Sequence, residues 1–464
     1  MEITYCRELM RRFVVLAGTV LILGACTGSA TAPSPATPDF VDVPVVDDGF
    51  ELPFHPSGPN DGRRSSLVAL DAETGRIVWE NEMPFGGWAY VLPVTGGVVF
   101  ACGCQLGSVS VLAGVESSGA AQWMIRTDNW GVREVVADDD TMIAALTDGD
   151  DTTLAGIDAT TGSVLWSIDS DVSTFGDLPG LAIVNRTVIV VEGDSTVRGL
   201  RARDGTELWR SEATESAGPP FVDGDRVLVP TNGGVSEVDM ETGDMREVIA
   251  PPGADTDPRI GAVMVRSGAL IGVRAYNAAE PRRHLIGVFD LDAGGAIWTR
   301  YLGERRHTVW GSEIVVSGPA FGSPGRILRS WDIATGKRLW RIDTKQRDAI
   351  PAQLVTAVGT TTFAVIEGHL GAIDASGSFV WSMKTPPDAA MVSIVDSTLI
   401  VPGPSDDCAS PESTGEITAL NPADGAVKWQ TCMSYPVRYT SPGGPVEQAG
   451  QLVFFTGYTE LAEA

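Results

Sequence analysis

The chain has 464 residues, with 60 acidic against 33 basic side chains and a formal net charge of −27. That balance opposes binding to nucleic acid or to bare anionic lipid. The length is large for one ordinary domain, but repeat architectures grow without a second core, and the 53 Gly and 29 Pro are what turn-rich β proteins require.

The N-terminus reads as a targeting segment, residues 1–25. Arg11 and Arg12 precede an apolar run over 13–25, which ends at Leu23-Gly24-Ala25-Cys26. A charged start, a short apolar stretch and small residues before the cut make a secretory signal, and the run is too short to span a bilayer comfortably. The tetrapeptide ending in Cys26 resembles a bacterial lipobox. The resemblance implies cleavage before Cys26, acylation of Cys26 and attachment to a membrane through that lipid. Thr27 follows, so no Asp marks inner-membrane retention, and the expected location is the outer side of the cytoplasmic membrane, or the outer membrane if one exists. Met10 also reads as a natural start, which would leave Cys6 outside the protein. Cleavage removes three basic and two acidic residues and leaves −28.

Residues 26–64 are expected to be the lipidated Cys26 and a tether. Pro33, Pro35, Pro38, Pro44, Pro53, Pro56 and Pro59 favour extended, poorly packed chain. The stretch 40–54 is more apolar and is expected to dock on the body or on a partner.

From residue 65 a repeat runs to the C-terminus. Its clearest copy, residues 67–79, reads LVALDAETGRIVW: a short apolar strand, an Asp-to-Gly turn and a returning strand ending in Trp79. The spacing returns at 156–166, 288–298, 330–340 and 419–429. It is degenerate at 113–123, where Val115 replaces the Asp, and at 199–209, where Arg201 does. It is one residue short at 372–381, and residues 237–247 end in Glu247 instead of Trp. The turn glycines stand at 75, 119, 162, 205, 243, 294, 336, 377 and 425, a period of about 40–50 residues that fits four short strands per unit. Helical repeats of that period fail because the segments are rich in Val, Ile and Thr and lack helical apolar spacing. Eight of the twelve tryptophans, Trp79, Trp123, Trp166, Trp209, Trp298, Trp340, Trp381 and Trp429, hold the repeat position, where a large ring fills the gap between neighbouring sheets. The expected fold is all-β: a propeller of four-stranded antiparallel blades over 65–464. The C-terminal stretch 444–458 supplies two strands and the N-terminal hairpin 67–79 the other two of a composite blade that closes the ring.

Ala69, Asp71, Gly75 and Trp79 match the signature Ala-x-Asp-x-x-x-Gly-x-x-x-Trp, and the chain resembles the pyrroloquinoline-quinone-type (PQQ-like) propeller repeat proteins over nearly everything after residue 65. Well-known members have eight blades, and eight is the expectation, although nine repeat units are counted here. The resemblance implies fold more than function. The family includes quinoprotein dehydrogenases, the propeller lipoprotein of the outer-membrane β-barrel assembly machine and extracellular propellers of bacterial kinases.

Four cysteines remain in the mature body. Cys408 and Cys432 belong to one unit and are expected to form a staple, leaving Cys102 and Cys104 as a close structural pair. Alcohol-oxidising quinoproteins carry adjacent cysteines, an Asp base and calcium ligands; Gly103 separates Cys102 from Cys104, and neither base nor ligands can be assigned. Asp138, Asp139, Asp140 and residues 148–151 read as solvated acidic turns lacking EF-hand spacing. Arg282, Arg283 and His284, like Arg305, Arg306 and His307, are basic spots before successive strands. His55 and His369 belong to no motif, and an isolated His in a sequence is usually structural or exposed. No Walker loop, dinucleotide fingerprint, HExxH or Gly-x-Ser-x-Gly elbow is present.

The reading is a monomeric, non-catalytic exported lipoprotein whose propeller binds an envelope protein or polymer. No metal, no catalytic residue and no cofactor is expected. PQQ and calcium enter only under the alternative of a sugar or alcohol dehydrogenase; a sensor for a small envelope ligand is a third possibility.

Overall fold

A computed structural model describes residues 40–42 and, between 65 and 457, the strands with their tight turns; most longer connections fall outside the described residues. Among the described residues the strands form nine sheets, each with a four-stranded antiparallel meander. Blades 1 to 8 span 87–128, 131–169, 181–212, 221–249, 258–302, 308–343, 353–384 and 393–433. Blade 9 is composite: Val446–Gln448 and Gln451–Gly457 supply its first two strands, Ser65–Asp71 and Ile77–Met83 its last two. Leu67 pairs with Phe455 and Ala69 with Val453, so the chain ends are zipped together in one sheet. Nine sheets among the described residues match the nine repeat units counted, where eight was the leading expectation. The degenerate stretch around 237–247 has kept its hairpin and forms a complete four-stranded blade 4 despite losing its Trp.

Apolar side chains on both faces of each sheet build the core between blades. Leu67, Val91, Phe100, Ala113 and Phe455 join blades 9 and 1, and Val68, Ile400, Ile417 and Phe454 join blades 8 and 9. Strands covered on both faces read as near-continuous apolar runs, as at Thr187–Val191.

In eight blades the bulge between third and fourth strands falls at the same place, directly after the residue opposite the repeat Trp: Ala69 faces Trp79, Gly156 faces Trp166, Ser330 faces Trp340, Ala419 faces Trp429. In seven of the eight that residue is Gly, Ala or Ser, and in blade 5 it is Val288, opposite Trp298. A Cβ on Gly156 would lie 2.2 Å from the Trp166 ring, so the indole lies flat over its partner strand. In blade 4, without the Trp, the bulge moves to Val235/Ser236.

Blade 1 carries a fifth strand. Phe40–Asp42, from the stretch expected to dock, pairs antiparallel with the outermost strand Ala121–Asp128, with Val41 opposite Arg126.

Candidate functional site

The repeat tryptophans lock each blade to the next. Trp79 of blade 9 donates its indole N–H to Ser117 O of blade 1 at 3.0 Å, Trp123 to Ala159 O at 2.8 Å and Trp166 to Ala202 O at 2.7 Å. Trp209, Trp298, Trp381 and Trp429 reach Met240, Ile333, Pro422 and Ala72 in the same way, the last bond closing blade 8 onto blade 9. Each of these rings lies against the turn glycine of the next blade. Two residues past the Trp, Asn81, Ser211, Arg300 and Thr431 donate to the carbonyl of that same glycine. Trp340 differs. It packs on Gly377 of blade 7, but its N–H goes to the buried Glu313 carboxylate of its own blade at 3.1 Å, which also accepts from Ser330.

The motif Asp caps its own turn. Asp71 Oδ1 accepts from Thr74 N and Oγ1, Asp239 from Glu241 N and Thr242 N, and Asp374 from Ser376 N and Oγ. These bonds hold the three carboxyls below the usual range, through Thr74, Thr242 and Ser376 respectively. Each acid thus has a structural use.

The seam between blades 4 and 5 lacks the indole. Glu237 instead accepts from Arg226 at 2.6 Å and from Arg246 at 2.7 Å, and Arg226 reaches Asp292 on the blade 5 turn at 3.5 Å. Arg226 and Glu237 are only 24% and 19% exposed, so this pair is worth more than a fully solvated one. Arg226→Ala is expected to lower unfolding free energy by about 1–2 kcal/mol, with a smaller deficit in molar salt, measured by urea denaturation at two ionic strengths.

The first strands of blades 1 to 3 are joined by polar groups. Tyr90 donates to Arg133 O at 3.0 Å. A bulge at Arg133 resets the alternation of Gly131–Ala137 and buries Glu134. The Glu134 carboxylate accepts from Gly180 N and Leu181 N of blade 3, each at 2.9 Å. Burial outweighs those bonds and pushes the carboxyl up to about 7; the Tyr90 hydroxyl is raised to about 12 by burial and then by Glu134.

The two ends of the ring differ. An up-and-down meander puts its 1–2 and 3–4 turns at one end and its 2–3 and blade-to-blade connections at the other. The first end consists of short, repeated turns. The second receives all the connections of variable length, from two residues between blades 1 and 2 to twelve between blades 8 and 9.

Of the residues singled out from sequence, Cys102 is buried in the core between blades 9 and 1, and Cys432 lies in the outer strand of blade 8. Cys26, Cys408 and the side chain of Cys104 lie outside the described residues, as do His55, Arg282, Arg283, Arg305, Arg306 and His307. Asp138, Asp139 and Asp140 form the 1–2 turn of blade 2; Asp138 Oδ1 caps Asp140 N and Thr141 N, and burial raises its carboxyl. His284 and His369 each begin a strand. Among the described residues no three His, Cys, Asp or Glu side chains gather at one point. Glu134 and Glu313 were missed: each is a single acid in an apolar strand, and only the register shows what it meets.

Four-stranded meanders joined by indole–glycine locks define a PQQ-like repeat propeller. The chain belongs to the family described as outer membrane protein assembly factor BamB, which matches residues 63–266 and 282–462. It is 27% identical over 427 residues to the outer membrane protein assembly factor BamB of Burkholderia pseudomallei (strain K96243), covering 85% of this chain and 96% of that protein. Among solved structures, BamB from Moraxella catarrhalis superposes with a TM-score of 0.48 at 17% identity, over 68% of this chain and 92% of that one. Quinohemoprotein alcohol dehydrogenase from Comamonas testosteroni gives 0.42 at 13% identity, over 72% and 76%.

Proposed function

We propose that the protein is an exported, lipid-anchored, non-catalytic propeller that serves as a binding platform in outer-membrane protein assembly. The observation that carries this reading is the similarity to BamB along 96% of that protein's length. The assignment of residues agrees with it: the repeat tryptophans are committed to holding the ring together and the motif acids to capping turns. The partner is an envelope protein of the assembly machinery, and the end of the ring with connections of variable length is the face that receives it. Loops that differ in length can be shaped to one partner, whereas the repeated turns at the other end cannot.

The anchor is Cys26, and residues 1–25 are the signal removed from it. Two staples, Cys408–Cys432 and Cys102–Cys104, complete the exported body. They are supported by both Cys102 and Cys432 being disulfide-bonded, and by blade 9 standing between the blades that carry them.

Cys26→Ala is expected to move the protein from the membrane fraction to the soluble fraction, because it removes the acyl chain that inserts into the bilayer. Crosslinking in intact cells with native-level protein, followed by mass spectrometry, is expected to give an assembly-machine partner that is lost in Cys26→Ala. Dye-linked oxidation of sugars or alcohols by purified protein given quinone and calcium would overturn the non-catalytic reading.

A further inference from the structure

Because the nine sheets are copies of one unit, a position that breaks the pattern in one blade can be judged against its counterparts. Two blades place arginines directly opposite each other on their outer strands: Arg198 against Arg210 in blade 3, and Arg329 against Arg341 in blade 6. Both pairs stand one step along from the docked Trp and therefore lie on the opposite face of the sheet, toward the preceding blade. Like charges at facing positions are unfavourable. Blade 3 resolves the conflict with carboxylates. Glu207, two residues before Trp209, takes Arg198 at 2.9 Å and Arg210 at 3.1 Å, and Glu192 takes Arg198 at 2.8 Å.

Blade 6 does the reverse. Two residues before Trp340, at the position of Glu207, stands Arg338. Among the described residues one carboxylate lies beside the three arginines, Asp343, and Arg341 already holds it at 2.7 Å. Arg329 is half-buried and makes no side-chain hydrogen bond or ion pair among the described residues. Burial first, then Arg341 and Arg338, disfavour its charged form. A fourth cation, Arg300 of blade 5, enters the same seam and donates to Gly336 O at 2.7 Å. Three guanidiniums against one carboxylate leave two positive charges and a row of unused donors, in a chain whose net charge is −27.

The geometry points to an oxyanion site at the outer mouth of the seam between blades 5 and 6, in which Arg329, Arg338 and Arg341 receive a phosphate group. A phosphate supplies the charge that Glu207 and Glu192 supply in blade 3. Its tetrahedral oxygens accept several guanidinium N–H bonds at once, which a single carboxylate does not. The phosphate is either a lipid headgroup or a free ion.

The test uses the exported chain carrying Cys26→Ala, so that an acyl anchor does not mask binding. Thermal unfolding is followed with inorganic phosphate against chloride at matched ionic strength, and flotation with phosphatidylcholine vesicles with and without phosphatidic acid. Arg338→Glu restores the blade 3 pattern. It is expected to raise the melting temperature in chloride and to weaken the phosphate response by about tenfold or more in apparent affinity, the loss of one charge-assisted contact and the gain of a repulsive one. Arg76→Glu, on the exposed turn of blade 9, is expected to leave the response unchanged and controls for general salting effects. A shift with inorganic phosphate that Arg338→Glu abolishes supports the site and assigns a soluble phosphate. Flotation dependent on phosphatidic acid and on Arg338, without that shift, supports it and assigns a lipid headgroup. Equal responses in parent and Arg338→Glu, or none in either assay, would overturn it.

Discussion

Trp429→Ala is expected to lower unfolding free energy by about 3–5 kcal/mol, the range for removing a buried aromatic ring from a packed site. Trp429 is 7% exposed, donates to Ala72 O at 3.0 Å and covers Gly75. It joins blade 8 to the composite blade 9, so its loss weakens the seam next to the place where the two chain ends meet. In repeat arrays each unit leans on its neighbours, and a weakened interface lowers the stability of the whole. Gly75→Ala reaches the same contact from the other side. Its φ of +70° disfavours any Cβ, and the added carbon would sit 2.3 Å from the Trp429 ring. The two substitutions damage one contact, so the double variant should cost well under the sum of the single ones. Urea titration of the four proteins measures this. Full additivity would show that the glycine and the ring act independently and that the lock is not one unit.

A second large effect is expected from pH. Glu134 has its carboxyl raised from 4.5 to about 7 in the folded protein. The folded state therefore keeps a proton that the unfolded state releases. Stability from this group is fully present below about 4.5, falls as pH rises toward 7 and is lost above it. The drop is on the order of 3 kcal/mol. Glu134→Gln removes the titration. It keeps a carbonyl for one of the two amides but turns an NH2 toward the other, and so starts about 1 kcal/mol lower at acid pH. The two stability curves should cross between pH 5 and 8, the Gln variant being the more stable at the alkaline end. Parallel curves would mean that Glu134 is ionised throughout. The turn acids Asp71, Asp239 and Asp374 act with the opposite sign. Their lowered carboxyls favour the folded state above about 4, and that contribution disappears on acidification.

The fold was readable because the motif spacing is the lock itself. The Gly of a repeat receives the Trp of the preceding blade, and the Trp four residues on reaches the Gly of the next, as Gly75 meets Trp429 and Trp79 meets Gly119, so a repeat carries one half of two successive contacts and its spacing carries tertiary information. The same logic made the composite blade legible: half a repeat at each end cannot bury its faces alone. Blade number was less legible. Family habit pointed to eight, while the unit at 221–249 had lost its Trp and had replaced it with the Arg226–Glu237–Arg246 pairs, which no spacing rule would find. Glu134 and the blade 6 arginines were hidden for another reason. Neither Val-Arg-Glu-Val-Val nor Arg-Ser-Trp-Asp is unusual as a string. Their meaning depends on a bulge at Arg133, and on Arg329 falling opposite Arg341 rather than one residue aside.

If Cys26 is the lipid anchor proposed above, the short strand Phe40–Asp42 sets the length of its leash. With an acyl group on Cys26, thirteen residues separate the anchor from the edge of blade 1, a span of at most about 45 Å when fully extended. Measured instead to Ser65, where the composite blade begins, the leash has 38 residues and a reach of roughly 130 Å. Under the proposed anchor, the three backbone pairings of this strand would shorten the greatest distance at which the ring could stand from the bilayer to about a third.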